Sequence, residues 1–146
     1  MIILTASVAS VADHIYKNYL ADKGYKTILF IDTAAEAEIG KIEGDDEWLY
    51  ADLKSLQNQG YQVDRWSITD KTKKEIESEI DKYDVIYMCG GDTKYLLDQM
   101  QQTKSYDLFI DKVRAGKPYI GTSAGSIIAG RRLPDYFHDV DADNKN

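Results

Sequence analysis

Cysteine is nearly absent, with Cys89 alone among 146 residues. A single thiol excludes an intrachain disulfide and points to a reducing, cytoplasmic setting. Histidine is almost as scarce, at His14 and His138. Two histidines and one cysteine do not compose a Cys/His zinc site, so no metal is expected. Positive charge is the third shortage: 18 Lys and Arg stand against 25 Asp and Glu, a net charge of −7. The basic residues form no run. Phosphate surfaces need clustered Lys and Arg, so neither nucleic acid nor an anionic membrane is an expected partner. Long apolar runs are missing as well. Stretches such as Ile28 to Ile31 fall far short of the ~20 residues that span a bilayer. Met1 leads straight into Ile2-Ile3-Leu4, without the charged and small-residue segments of a signal peptide, so none is expected. Neither a G-x-G-x-x-G fingerprint nor a P-loop occurs, so no cofactor is expected.

What is present is a folded-domain composition, 43% hydrophobic and 29% charged. The length suits one domain with a substantial core. Short apolar runs alternate with longer amphipathic ones. Strands are predicted at 2–6, 27–31, 61–68, 84–89 and 117–121. Helices are predicted at 8–23, from Asp45 or Asp46 to Gln59, and at 72–82, 93–102, 105–115 and 124–130. Gly24, Gly60 and Gly116 supply helix stops. Residues 32–44 read as a loop with a helical turn, and 139–146 as a fraying polar tail. Strand and helix in alternation imply parallel strands, right-handed crossovers and helices on both faces. Ligands in such folds sit at the carboxyl ends of the strands. The segments to search are 5–10, 32–36, 67–70, 89–94 and 121–126.

Gly121-Thr122-Ser123-Ala124-Gly125 matches G-x-S-x-G, with a strand before it and a helical run after it. A nucleophilic serine needs a sharp turn that exposes its Oγ, which only small neighbours allow. The amide of Ala124 is then a ready oxyanion donor. The competing structural role is a plain small-residue turn. Gly90-Gly91-Asp92-Thr93 closes the fourth strand. Its glycines let backbone approach a ligand, and Gly91 can donate to the same oxyanion. Asp92 or Thr93 can equally serve as an ordinary N-cap.

Met88-Cys89-Gly90-Gly91-Asp92-Thr93-Lys94-Tyr95-Leu96-Leu97, followed by Gly121-Thr122-Ser123-Ala124-Gly125-Ser126, resembles the dipeptidase E and cyanophycinase family of serine peptidases. The resemblance implies a three-layer αβα sandwich with a mostly parallel sheet, of the class I glutamine amidotransferase-like (flavodoxin-like) type. It implies a hydrolase in which Ser123 attacks a peptide carbonyl and the amides of Gly91 and Ala124 form the oxyanion hole. Gly90, Asp92 and Thr93 would border a small peptide substrate. Family members act on aspartyl peptides. Asp92 stands where the family usually has Asn, and Ser126 where it often has Ala. The negative charge of Asp92 argues against an acidic substrate here.

The resemblance also calls for a histidine base with an acidic partner. The family's histidine lies on a later strand, and residues 1–146 read as one domain missing the family's C-terminal part. His138 beside Asp139 is the candidate pair. Asp135, Asp139 and Asp141 each remain open for the acidic position. His14 sits on the first helix as a surface or semi-buried residue rather than a base, and Cys89 reads as a buried small hydrophobe. Two further functions stay in view: a non-catalytic relative acting as a binding domain, and a flavodoxin-like nucleotide binder. A shortened sheet would expose an apolar edge that a homodimer covers.

Overall fold

Runs rich in Ile, Val, Leu and Tyr at 27–31, 85–88 and 119–122 build strands buried on both faces, as the interior of a parallel sheet requires, while the edge strands at 2–5 and 62–66 stay partly exposed. The computed structural model describes residues 1–130. The strands are β1 (Ile2–Thr5), β2 (Thr27–Ile31), β3 (Gln62–Trp66), β4 (Val85–Met88) and β5 (Tyr119–Thr122). They form one sheet in the order β1-β5-β4-β2-β3, and every pairing is parallel. The helices are α1 (Ala12–Ile15), α2 (Glu47–Asn58), α3 (Lys73–Asp81), α4 (Thr93–Gln102), α5 (Tyr106–Arg114) and α6 (Ala124–Ile127).

Strand alternation sorts these helices into two layers. Ile28, Phe30, Val85, Tyr87 and Ile120 face one way and pack on Ala12 and Ile15 of α1 and Leu49 and Leu56 of α2. Leu29, Ile31, Ile86, Met88 and Tyr119 face the other way. They pack on Ile76 and Ile80 of α3, Leu96 and Met100 of α4, Leu108 and Phe109 of α5, and Ala124 of α6. The result is the expected three-layer αβα sandwich. Among the described residues, β1 leaves a flank uncovered, with Ile2 55% and Leu4 48% exposed.

Two local expectations change. The predicted 8–23 helix is a turn at Val8–Val11, where the Val11 N–H donates to the Val8 carbonyl. A short α1 follows, then a π-helical turn over Tyr16–Leu20. Val8 is fully buried, and turning early is what tucks it into the core. Neither Asp45 nor Asp46 caps α2 by its side chain. Asp45 instead accepts the backbone N–H groups of Gly40, Lys41 and Ile42 and closes the preceding loop.

The start of β2 is tied to the start of β4 by Asp84. Its Oδ2 accepts the N–H groups of Lys26 at 2.7 Å and Thr27 at 3.0 Å. These bonds, the Lys26 amide foremost, hold the carboxyl below its ordinary value of 3.8. A depressed carboxylate adds stability that is fully present above the ordinary value and lost as pH falls through the folded one. Urea midpoints of the wild type should therefore drop on acidification below 3.8 more steeply than those of Asp84→Asn. Parallel curves would contradict this.

Candidate active site

The carboxyl edge of the sheet brings the two glycine-flanked corners together. Ser123 follows β5 with φ +49° and ψ −109°, a backbone geometry that non-glycine residues rarely adopt and that sites tolerate when neighbours enforce it. The enforcement is visible. The Ser123 N–H donates to the Thr5 carbonyl at 3.0 Å, and the Ser123 carbonyl accepts from Ser126 and Ile127. Ser126 Oγ lies 2.7 Å from the Gly121 carbonyl and 2.9 Å from that of Thr5, and it accepts the Thr5 N–H. Serine at 126, a departure from the family pattern, thus staples β1 to the elbow.

The side chain of Ser123 is exposed. A methyl group at Gly90 would stand 3.2 Å from Ser123 Cβ and 3.8 Å from its Oγ. Gly91, at φ +137°, runs so close to the 3-10 turn Thr33–Ala37 that a methyl group there would meet the Ala34 carbonyl oxygen at 2.2 Å. Glycine is required at 91 for both space and conformation. Among the described residues, the N–H groups of Gly91 and Ala124 have no hydrogen-bond partner. Together with Ser7, Trp48, Asp52 and Thr122, the residues Gly90, Gly91 and Ser123 line a cavity of about 450 Å³.

Other expected site residues lie elsewhere. Asp92 uses its carboxylate to cap α4, accepting the Tyr95 N–H at 2.8 Å. Thr93 is buried in the first turn of α4, and neither Asp92 nor Thr93 lines the cavity. His14 is exposed on α1, 3.2 Å from Asn18, and is not a lining residue. Cys89 is fully buried, burial pushes its thiol well up, and its Sγ contacts the Gly90 carbonyl. It is an inert packing residue. His138, Asp139, Asp135 and Asp141 lie outside the described residues. Among the described residues, no cluster of His, Cys, Asp and Glu is suited to a metal ion, and no helix is long and apolar enough to cross a membrane.

The helix α2 was expected from the sequence, but its contribution to the cavity was not. Asp52 and Trp48 reach the cavity from α2, and Glu38 lines it as well. The available signal was a carboxylate inside an apolar stripe: Asp52 falls between Leu49 and Leu56, three and four residues away. Burial raises its carboxyl, against the lowering pull of hydrogen bonds from Tyr87 and the Ala9 N–H.

Comparison with known proteins gives this arrangement a family. The model of Peptidase family S51 matches residues 2–142. The chain belongs to that family. An uncharacterized peptidase of Listeria monocytogenes is 32% identical over 120 residues, covering 82% of this chain and 56% of the relative. An uncharacterized peptidase of Pasteurella multocida is 31% identical over 139 residues, covering 95% and 64%. Peptidase E of Haemophilus influenzae is 32% identical over 117 residues, covering 80% and 50%. The chain therefore spans between half and two thirds of the length of these S51 relatives. A crystal structure from Listeria monocytogenes EGD-e, provisionally assigned as a peptidase E, superposes with a TM-score of 0.81 at 29% identity. It covers 99% of this chain and 68% of that one.

Proposed function

We propose that the chain is a serine-type peptidase domain of the dipeptidase E kind, acting on short peptides in the cytoplasm. The observation that carries this is Ser123 itself, held at positive φ with its side chain open to a cavity that Gly91 also lines. In this reading Ser123 Oγ attacks the substrate carbonyl carbon and its proton passes to a base. The free amides of Gly91 and Ala124 bind the oxyanion. Collapse of the tetrahedral intermediate breaks the C–N bond, the base returns the proton to the leaving amine, and water hydrolyses the ester. His138, with Asp139, is the proposed base. Gly90 borders the acyl group, while Asp92 and Thr93 support the corner from α4. A fluorophosphonate probe tests the assignment: Ser123 should be labelled in folded protein, and a folded, unlabelled sample would count against it. Binding of peptides without turnover would return the non-catalytic relative.

The lining favours particular substrates. Glu38 and Asp52 face the cavity, and no Lys, Arg or His among the described residues does. Like charges brought together in a cleft are costly. Neutral dipeptides should therefore exceed Asp-initiated ones in kcat/KM by about tenfold or more. Faster cleavage of the aspartyl peptide would overturn this. A homodimer through β1 is also proposed, since Ile2 and Leu4 are exposed there beside an apolar groove of about 370 Å³. Sedimentation should give twice the chain mass, and Leu4→Lys should halve it.

A further inference from the structure

Three buried side chains lead from α2 to the residue before the nucleophile. Asp52 is 4% exposed, Tyr87 0% and Thr122 3%. Tyr87 Oη lies 2.9 Å from Asp52 Oδ2 and 2.9 Å from Thr122 Oγ1. Tyr87 has one hydroxyl proton, and an ionised carboxylate only accepts. With Asp52 ionised, Tyr87 donates to Asp52 and Thr122 donates to Tyr87. The second carboxylate oxygen accepts the Ala9 N–H at 3.0 Å, and Ala9 belongs to the loop that forms another wall of the cavity. Phe30 packs on the Tyr87 ring with centroids 4.5 Å apart, so the middle of the chain has no freedom to swing.

We propose that Asp52 is a positioning residue for the nucleophile, fixing the end of β5 through the Tyr87 and Thr122 hydroxyls and the Ala9 loop through its other oxygen. This rests on the reading of Ser123 as the reacting group. Leucine, phenylalanine and valine would fill the same three places without burying a carboxylate, which is costly unless paired. What the polar chain adds is direction. It fixes the Thr122 side chain immediately before a residue whose backbone is strained, and an error of about 1 Å in a reacting atom can cost on the order of a hundredfold in rate.

The test uses Asp52→Asn, Tyr87→Phe and their double variant in the full chain, with Thr122→Val as a cut at the elbow end should Asp52→Asn not fold. Fluorophosphonate labelling of Ser123 is followed against probe concentration. The expected result is a maximal labelling rate lowered by about tenfold or more with unchanged half-saturation, and a double variant no slower than the slower single one, because both cut one chain. Hydrogen exchange supplies a readout free of chemistry. The Ser123 amide, bonded to the Thr5 carbonyl, should exchange faster in each variant, while the Ile86 amide, bonded to the Pro118 carbonyl, keeps its rate. Unchanged Ser123 exchange, or an equal rise at Ile86, overturns the proposal. If the wild type takes no label while the local exchange effect is present, the peptidase reading falls and the positioning role stands.

Discussion

Replacing Gly125 with alanine is expected to destabilise the fold by at least about 3 kcal/mol and to silence Ser123 with it. A Cβ at 125 would lie 2.1 Å from the Met88 carbonyl oxygen and 2.8 Å from its carbon. Both are backbone atoms of β4, so no rotamer change relieves the contact. α6 or β4 must move, and the interior is packed too densely to yield cheaply. Gly121 stands in the same position from the other side, since its Cβ would meet the Gly125 carbonyl oxygen at 2.6 Å. The two outer positions of G-x-S-x-G are thus packing requirements of the α6–β4–β5 contact as much as requirements of chemistry. Urea denaturation of Gly125→Ala, read alongside probe labelling, checks the expectation. An unchanged midpoint would show that α6 can shift freely.

Ser123→Ala is the second large effect. Labelling and peptide hydrolysis should fall by about four orders of magnitude or more, the scale at which removing a nucleophile leaves oxyanion and binding contributions alone. Stability should barely move, because the bonds that hold this corner come from the Ser123 backbone and from Ser126. Undiminished labelling would point to a second nucleophile, and Ser7 lines the same cavity. Cys89 is no candidate, being fully enclosed.

The order of elements, the parallel sheet and the carboxyl-edge position of the candidate site were legible in the sequence, because they follow from local apolar periodicity and from glycine. The corners at Gly90, Gly91 and between Gly121 and Gly125 were legible for the same reason: each glycine sits where a close approach limits the choice of residue. Asp92 shows the boundary of that logic. Its charge suggested a role toward substrate, yet its carboxylate is used by the Tyr95 amide, and Asp and Asn cap helices about equally well. Asp52 was illegible for the opposite reason. The role proposed for it depends on Tyr87 and Thr122, both 35 or more residues away in sequence, and no short window along the chain contains all three. The turn at Val8–Val11 likewise reflects tertiary burial of one valine overriding a helical pattern.

The positive φ of Ser123 has a thermodynamic counterpart. Glycine adopts such angles without the steric penalty that a Cβ carries. An inert protein bearing glycine at 123 would consequently be more resistant to heat than the natural chain. Under the proposed peptidase function, the hydroxyl stands at a place where the fold alone would favour glycine, so robustness and chemistry would pull this single position in opposite directions.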